Sequence, residues 1–180
     1  MQGRGGNNEY CPWQSSTVLW HLGSVPRKSS SGNTLTRSQI ESIFADAFDE
    51  WENHCELQAA QTTQRGSAFI KINFVSKAEK PNEFPQTGDM ARAYPPCPHE
   101  GKKGKVYFRI VSDSPWTEDE LYKFAVHEFG HALGMNFHSG DSDDAMYQDP
   151  TIWNNSLTEN DITHIKVLYP RGKQNEHNIA

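Results

Sequence analysis

The residues best suited to chemistry stand together at His127-Glu128-Phe129-Gly130-His131. On a helix, residues four apart lie one turn above each other on the same face. Two imidazoles at this spacing can therefore grip one metal ion from a single rigid element. Glu128 lies beside the first imidazole, close enough to act on a water at the metal without ligating it. A zinc ion lowers the pKa of such a water towards about 7, and a carboxylate there can accept its proton. The motif alone also has a plainer reading, two ordinary half-buried histidines on a helix. Three features downstream count against that reading. Gly134 can end the helix and turn the chain back beneath the site, His138 on the returning segment offers a further nitrogen, and Met146 in Asp144-Ala145-Met146-Tyr147 can turn under the metal. Three protein ligands plus a water make up a hydrolytic zinc site.

Other chemistry-bearing residues are less organised. Cys11, Cys55 and Cys97 permit three single-disulfide pairings, each leaving one thiol, and their wide spacing matches no CxxC motif. Cys97 and His99 form a Cys-x-His pair, but nothing nearby completes a tetrahedron, and Pro95, Pro96 and Pro98 mark a surface loop. The net charge is -6, and Lys102, Lys103 and Lys105 form the one dense basic run. Nucleic-acid backbones reward clustered Lys and Arg, so no nucleic-acid partner is expected. The apolar runs fall far short of the roughly 20 residues of a membrane span. Met1 to Gly6 lack the apolar stretch of a signal peptide, so the chain either starts after a removed leader or is cytosolic.

The elements that must position the motif follow from periodicity. The chain has 180 residues, 35% of them hydrophobic, which suits one domain with a modest core. The ends are poor in packing residues, so residues 1–15 and 171–180 are expected to be loose around a domain spanning 16–170. Val18 to Leu22 reads as an opening strand. Ile40, Ile43, Phe44, Ala47, Phe48, Trp51 and Cys55 form one helical stripe, with a capping box at Thr36/Gln39 or Ser38/Glu41. Ala68, Ile70, Ile72 and Phe74 alternate as a half-buried strand, and Val106, Phe108 and Ile110 do the same. Between them, Ser76 to Lys105 is a long proline-punctuated loop within which Met90 to Tyr94 offers an edge strand, and loops of this length usually serve function. Thr117 and Glu120 cap the helix that carries the motif, Gly134 ends it, and a last helix is predicted over Thr158 to Leu168 before Pro170. This order of elements is α+β.

The stretch HEFGHALGMNFHSGDSDDAMY resembles the metzincin signature HExxHxxGxxH followed by a Met-turn. Within that group it is most similar to the matrixins, the matrix metalloproteinase family. Ser139 follows His138 as serine follows the third histidine there, and Met146 stands eight residues after His138 as the family's methionine does. The likeness runs from about Val18 to Tyr169 and takes in Ala47 to Trp51, Ile70 to Phe74, Ala91 to Tyr94, Leu157 to Ile162 and Leu168-Tyr169. It implies a metzincin-like α+β fold: a twisted, mostly parallel sheet with an edge strand, a long first helix, the active-site helix and a C-terminal helix. It also implies hydrolysis of protein or peptide substrates by a secreted monomer. His127, His131 and His138 would hold zinc, and Glu128 would carry the proton from water to the leaving amine. Ala91, Arg92, Ala93 and Tyr94 would form the cleft's upper rim, Tyr147 to Thr151 the wall of its main specificity pocket, and Asp161 would tie back to the Met-turn.

The sequence departs from the family in places that bear on the site. Three residues, Met135, Asn136 and Phe137, separate Gly134 from His138 where the pattern has two. One residue adds at most about 3.3–3.6 Å of chain, which a small bulge absorbs, so His138 is the expected ligand and Asp141 or a water its competitor. The resemblance also implies structural zinc and calcium ions in the long loop. The corresponding positions hold Arg92, Tyr107, Arg109 and Phe69, and arginine cannot act as a ligand. Structural zinc and calcium are therefore doubtful, a single zinc is expected, and a cysteine pairing that involves Cys97 would offset their loss. Gln148 and Asp149 stand between Tyr147 and Pro150 where the family has proline directly, and Tyr-Cys-Pro-Trp around Cys11 lacks the family's latency motif. Two rival readings are a gluzincin with Glu159 as third ligand and a catalytically weak or inactive metzincin-fold binding module.

Overall fold

A computed structural model describes residues 10–26, 35–86, 88–97, 101–110 and 116–171. Five strands, β1 (Thr17–Leu22), β2 (Gln58–Gln61), β3 (Ile70–Ser76), β4 (Ala91–Ala93) and β5 (Lys105–Ile110), form one sheet in the order β2-β1-β3-β5-β4. All neighbours are parallel except β4, which runs antiparallel to β5 with Ala91 opposite Phe108 and Ala93 opposite Val106. The helices are α1 (Arg37–Glu52), α2 (Glu118–Leu133) and α3 (Glu159–Leu168).

Each helix begins with a reciprocal capping box: Thr36 with Gln39, Thr117 with Glu120, and Thr158 with Asp161. These boxes satisfy backbone donors that the first turn leaves open. α1 and α2 pack together through aromatic rings. Phe48 stacks on Phe129 at 4.0 Å between centroids, and Phe44 lies against both Phe108 of β5 and Phe129 of α2. Trp51 is fully buried and donates its indole N–H to the Val126 carbonyl at 3.0 Å. The motif helix thus rests on a rigid aromatic layer. Gly130 is needed at this contact, because a Cβ there would collide with Met146 Sδ and stand 3.1 Å from the Trp51 ring.

Two features differ from expectation. β2 was not foreseen: its sequence, Gln58-Ala59-Ala60-Gln61, is exposed or half-buried, has no apolar face, and is held through main-chain pairing to β1. The N-terminal segment is also not loose as far as residue 15. Cys11 is buried and donates its N–H to the Gly134 carbonyl at 2.9 Å, and Trp13 donates its indole N–H to the Ala132 carbonyl at 3.0 Å. Docking to the end of α2 overrides the segment's polar composition. The expectations for residues 1–9, His99 and residues 172–180 lie outside the described residues.

Candidate metal centre

α2 presents His127 and His131 on one face, and Gly134 ends it with φ +125°, a conformation that disfavours any side chain. The chain then doubles back and brings His138 to the same point. One ring nitrogen from each of the three histidines lies within 4.8 Å of the others, and His131 Nε2 stands 3.2 Å from His138 Nε2. Two of the rings have their other nitrogen engaged. His127 Nδ1 meets the Ala145 carbonyl at 2.8 Å, and His131 Nδ1 meets the Met135 carbonyl at 2.6 Å. A carbonyl accepts only from N–H, so these contacts assign the proton to Nδ1 and leave Nε2 as a bare lone pair.

Burial also keeps these rings neutral. Desolvation pushes His127 far below its ordinary pKa and His131 down to about 4, each aided by a neighbouring imidazole and opposed by its carbonyl contact. Burial lowers His138 as well. The Nε2 lone pairs of His127 and His131 thus face the point where the His138 ring arrives. Tetrahedral zinc with bonds of about 2.0–2.1 Å sets its nitrogens about 3.3 Å apart, close to the His131–His138 separation. The donor set fits zinc.

Glu128 supplies a second test of that fit. It is only 6% exposed, and its Oε2 is buried with no hydrogen-bond partner among the described residues. Burial pushes the group up to about 8, against the Ala93 N–H and the Arg92 charge, which lower it. A buried orphan acceptor is costly, so its presence beside three imidazoles calls for a functional reason.

The Met-turn is tied down from behind. Asp161, fully buried at the start of α3, accepts the Ala145 N–H at 2.9 Å and the Met146 N–H at 3.4 Å. Asp144, 1% exposed, accepts from the Ser139 and Thr158 hydroxyls and from the Asn160 amide. Asp144 as a buried hub was missed by sequence reasoning; among Asp141, Asp143 and Asp144 nothing local marks which one turns inward.

A cleft of about 850 Å³ runs across the centre. Ala91, Arg92, Ala93 and Tyr94 line one side and Tyr147 to Thr151 the other, with His127, Glu128, His131 and His138 between them. The competitor Asp141 is exposed, as is Glu159 on the first turn of α3, and neither belongs to the histidine group. The residues at positions expected for structural ions make protein contacts instead. Arg92 lies 5.3 Å from the Tyr94 ring, Arg109 donates to the Asp89 carbonyl, and Tyr107 packs with Phe84 and Tyr94. Cys97 is paired with Cys11, which removes it from any Cys-x-His site, and Cys55 is a buried free thiol.

The model of the matrixin family matches residues 12–170. The chain belongs to the matrixins. Interstitial collagenase from Equus caballus is 32% identical over 143 residues, covering 75% of this chain and 29% of that protein. Matrix metalloproteinase-26 from Homo sapiens is 29% identical over 171 residues, covering 88% of this chain and 60% of that protein. The chain thus spans less than two thirds of these relatives. Matrixins use a catalytic zinc, and the three-histidine group is the counterpart of that site here. Membership also sets aside the gluzincin alternative, which needed Glu159.

Proposed function

We propose that this matrixin is a zinc-dependent endopeptidase, with His127, His131 and His138 as zinc ligands and Glu128 as the proton carrier. The observation that carries the reading is the unpartnered, buried Oε2 of Glu128 next to three converging neutral imidazoles on an open cleft. Zinc held there would polarise the scissile carbonyl and acidify the attacking water. Glu128 takes the proton from that water and delivers it to the leaving amine.

An extended substrate would lie along β4. Met90 and Tyr94 direct main-chain groups to β5, so by alternation Ala91 and Ala93 direct theirs to the cleft. The Ala91 and Ala93 peptide groups would then pair with the substrate's main chain. Arg92 and Tyr94 shape this rim, and Tyr147 lies on the facing wall. The Cys11–Cys97 disulfide supports a secreted chain, because such bonds persist in oxidising compartments. Among the described residues no helix is long and apolar enough to cross a membrane.

The test is zinc stoichiometry together with cleavage of a quenched-fluorescent peptide by wild type, Glu128→Ala and His138→Ala. The expected result is one zinc per chain, activity lowered by about 10²–10⁴-fold in Glu128→Ala with zinc retained, and weakened zinc binding in His138→Ala. Zinc binding without cleavage of varied peptides would instead support a binding module.

A further inference from the structure

Met135, Asn136 and Phe137 stand between Gly134 and His138 where the HExxHxxGxxH spacing has two residues, and Phe137 lies directly before His138. Its ring does not hang free. It lies 4.6 Å from the His164 ring of α3 at an angle of 62°, and 5.7 Å from the Tyr10 ring at 75°. Tyr10 closes the group, since its hydroxyl hydrogen-bonds to His164 Nδ1 and its ring sits 5.7 Å from that imidazole. Tyr10 and His164, distant in sequence, thus converge on Phe137.

The same N-terminal segment braces the backbone on either side. Tyr10 forms an antiparallel bridge with Met135, and the Cys11 N–H donates to the Gly134 carbonyl at 2.9 Å. The Met135 carbonyl in turn accepts from His131 Nδ1. Gly134 admits this approach: a Cβ there would stand 2.5 Å from the Cys11 carbonyl oxygen. The segment is held covalently by Cys11–Cys97 and by the Trp13 N–H, which donates to the Tyr169 hydroxyl at 3.1 Å.

We propose that Tyr10 is a positioning residue for the metal centre: it clamps Phe137, in the segment that is one residue longer than the HExxHxxGxxH spacing, and so holds His138, and through Met135 also His131, in register. The proposal rests on the zinc reading above. One residue of slack is worth about 3.3–3.6 Å of chain, whereas a ligand must stay within a few tenths of an ångström of its metal. Without the Tyr10 ring, Phe137 loses one of the two rings packed against it, and the longer segment can relax. Groups that orient ligands from behind typically change metal affinity by about 10–100-fold when removed.

The experiment measures transfer of zinc from the full chain to a chromophoric chelator, with no substrate present. Tyr10→Ala should release zinc about tenfold faster than wild type, whereas Tyr10→Phe, which keeps the ring, should stay within about threefold. Phe137→Ala should also accelerate release. Adding Tyr10→Ala to it should change little further, since Tyr10 acts through Phe137. Val18→Ala in β1, destabilised but remote, should release zinc at the wild-type rate. A Tyr10→Ala protein that melts earlier yet keeps the wild-type release rate overturns the proposal, as does full additivity with Phe137→Ala. A wild type that holds zinc but cleaves no peptide overturns only the peptidase reading; one that takes up no zinc overturns both.

Discussion

His127 is oriented by the Ala145 carbonyl, and Ala145 is oriented by Asp161, so the imidazole is supported two residues deep. Asp144 braces the same turn from the other side. Burial alone would raise its pKa, but hydrogen bonds from Ser139, Thr158 and Asn160 outweigh that and hold it below the usual carboxylate range. The sign for stability follows. A folded value below the unfolded one, about 3.9, means the ionised group stabilises the fold above that pH. The contribution is lost as pH falls through the folded value. Asp144→Asn should therefore melt below wild type at neutral pH, with the gap narrowing once the pH drops under about 4. Thermal melts of both proteins across that range check this. A gap that stays constant with pH would show that the charge on Asp144 contributes nothing.

At the scale of elements, the rim strand β4 is short and sits at the sheet edge, so its loop must hold it. Glu83, 6% exposed, accepts from the Tyr94 hydroxyl, and Lys102 Nζ lies 3.1 Å from both. Tyr94 in turn exchanges main-chain bonds with Lys105 and Gly104. Glu83→Ala leaves the Tyr94 hydroxyl without this acceptor and should cost about 1–3 kcal/mol. Because β4 carries Ala91 and Ala93, KM should rise more than kcat falls, and steady-state kinetics on one peptide would show the split. An unchanged KM would mean the loop holds the rim without this cluster. None of this was legible in the sequence, because Glu83, Tyr94 and Lys102 meet only through the loop's path. The helices were legible: α1 and α2 each join a 3.6-residue apolar stripe to a Thr-initiated capping box, and α3 shows its own stripe before Pro170. The histidine group was legible for a related reason: two members share one helix face, and Gly134 announces the turn that returns the third. β2 was hidden because its side chains contribute little and its place is set by β1.

For the whole molecule, the question is what joins the N-terminal segment to the cleft. Rings from α1, α2, β3 and β5 form the core, yet Tyr10 to Trp13 lies outside that layer, at the far end of α2. Cys11–Cys97 fastens this segment to the loop after β4, across a sequence separation of 86 residues and a Cα–Cα distance of 5.8 Å. Closing so long a loop restricts the unfolded chain more than the folded one, by about 4–5 kcal/mol on the loop-closure model. Measured values usually run lower, about 2–4 kcal/mol, because the unfolded chain retains some order. Replacing both cysteines by serine should lower the urea midpoint by a corresponding amount. It should also raise the slope of the transition, since the freed chain exposes more surface when unfolded. Both shifts together place the effect in the unfolded state, whereas a lower midpoint with an unchanged slope assigns it to lost contacts around Tyr10 and Trp13. An unchanged midpoint would mean the bond contributes nothing to stability, and the docking of the segment would rest on Tyr10, Trp13 and the Gly134 approach alone.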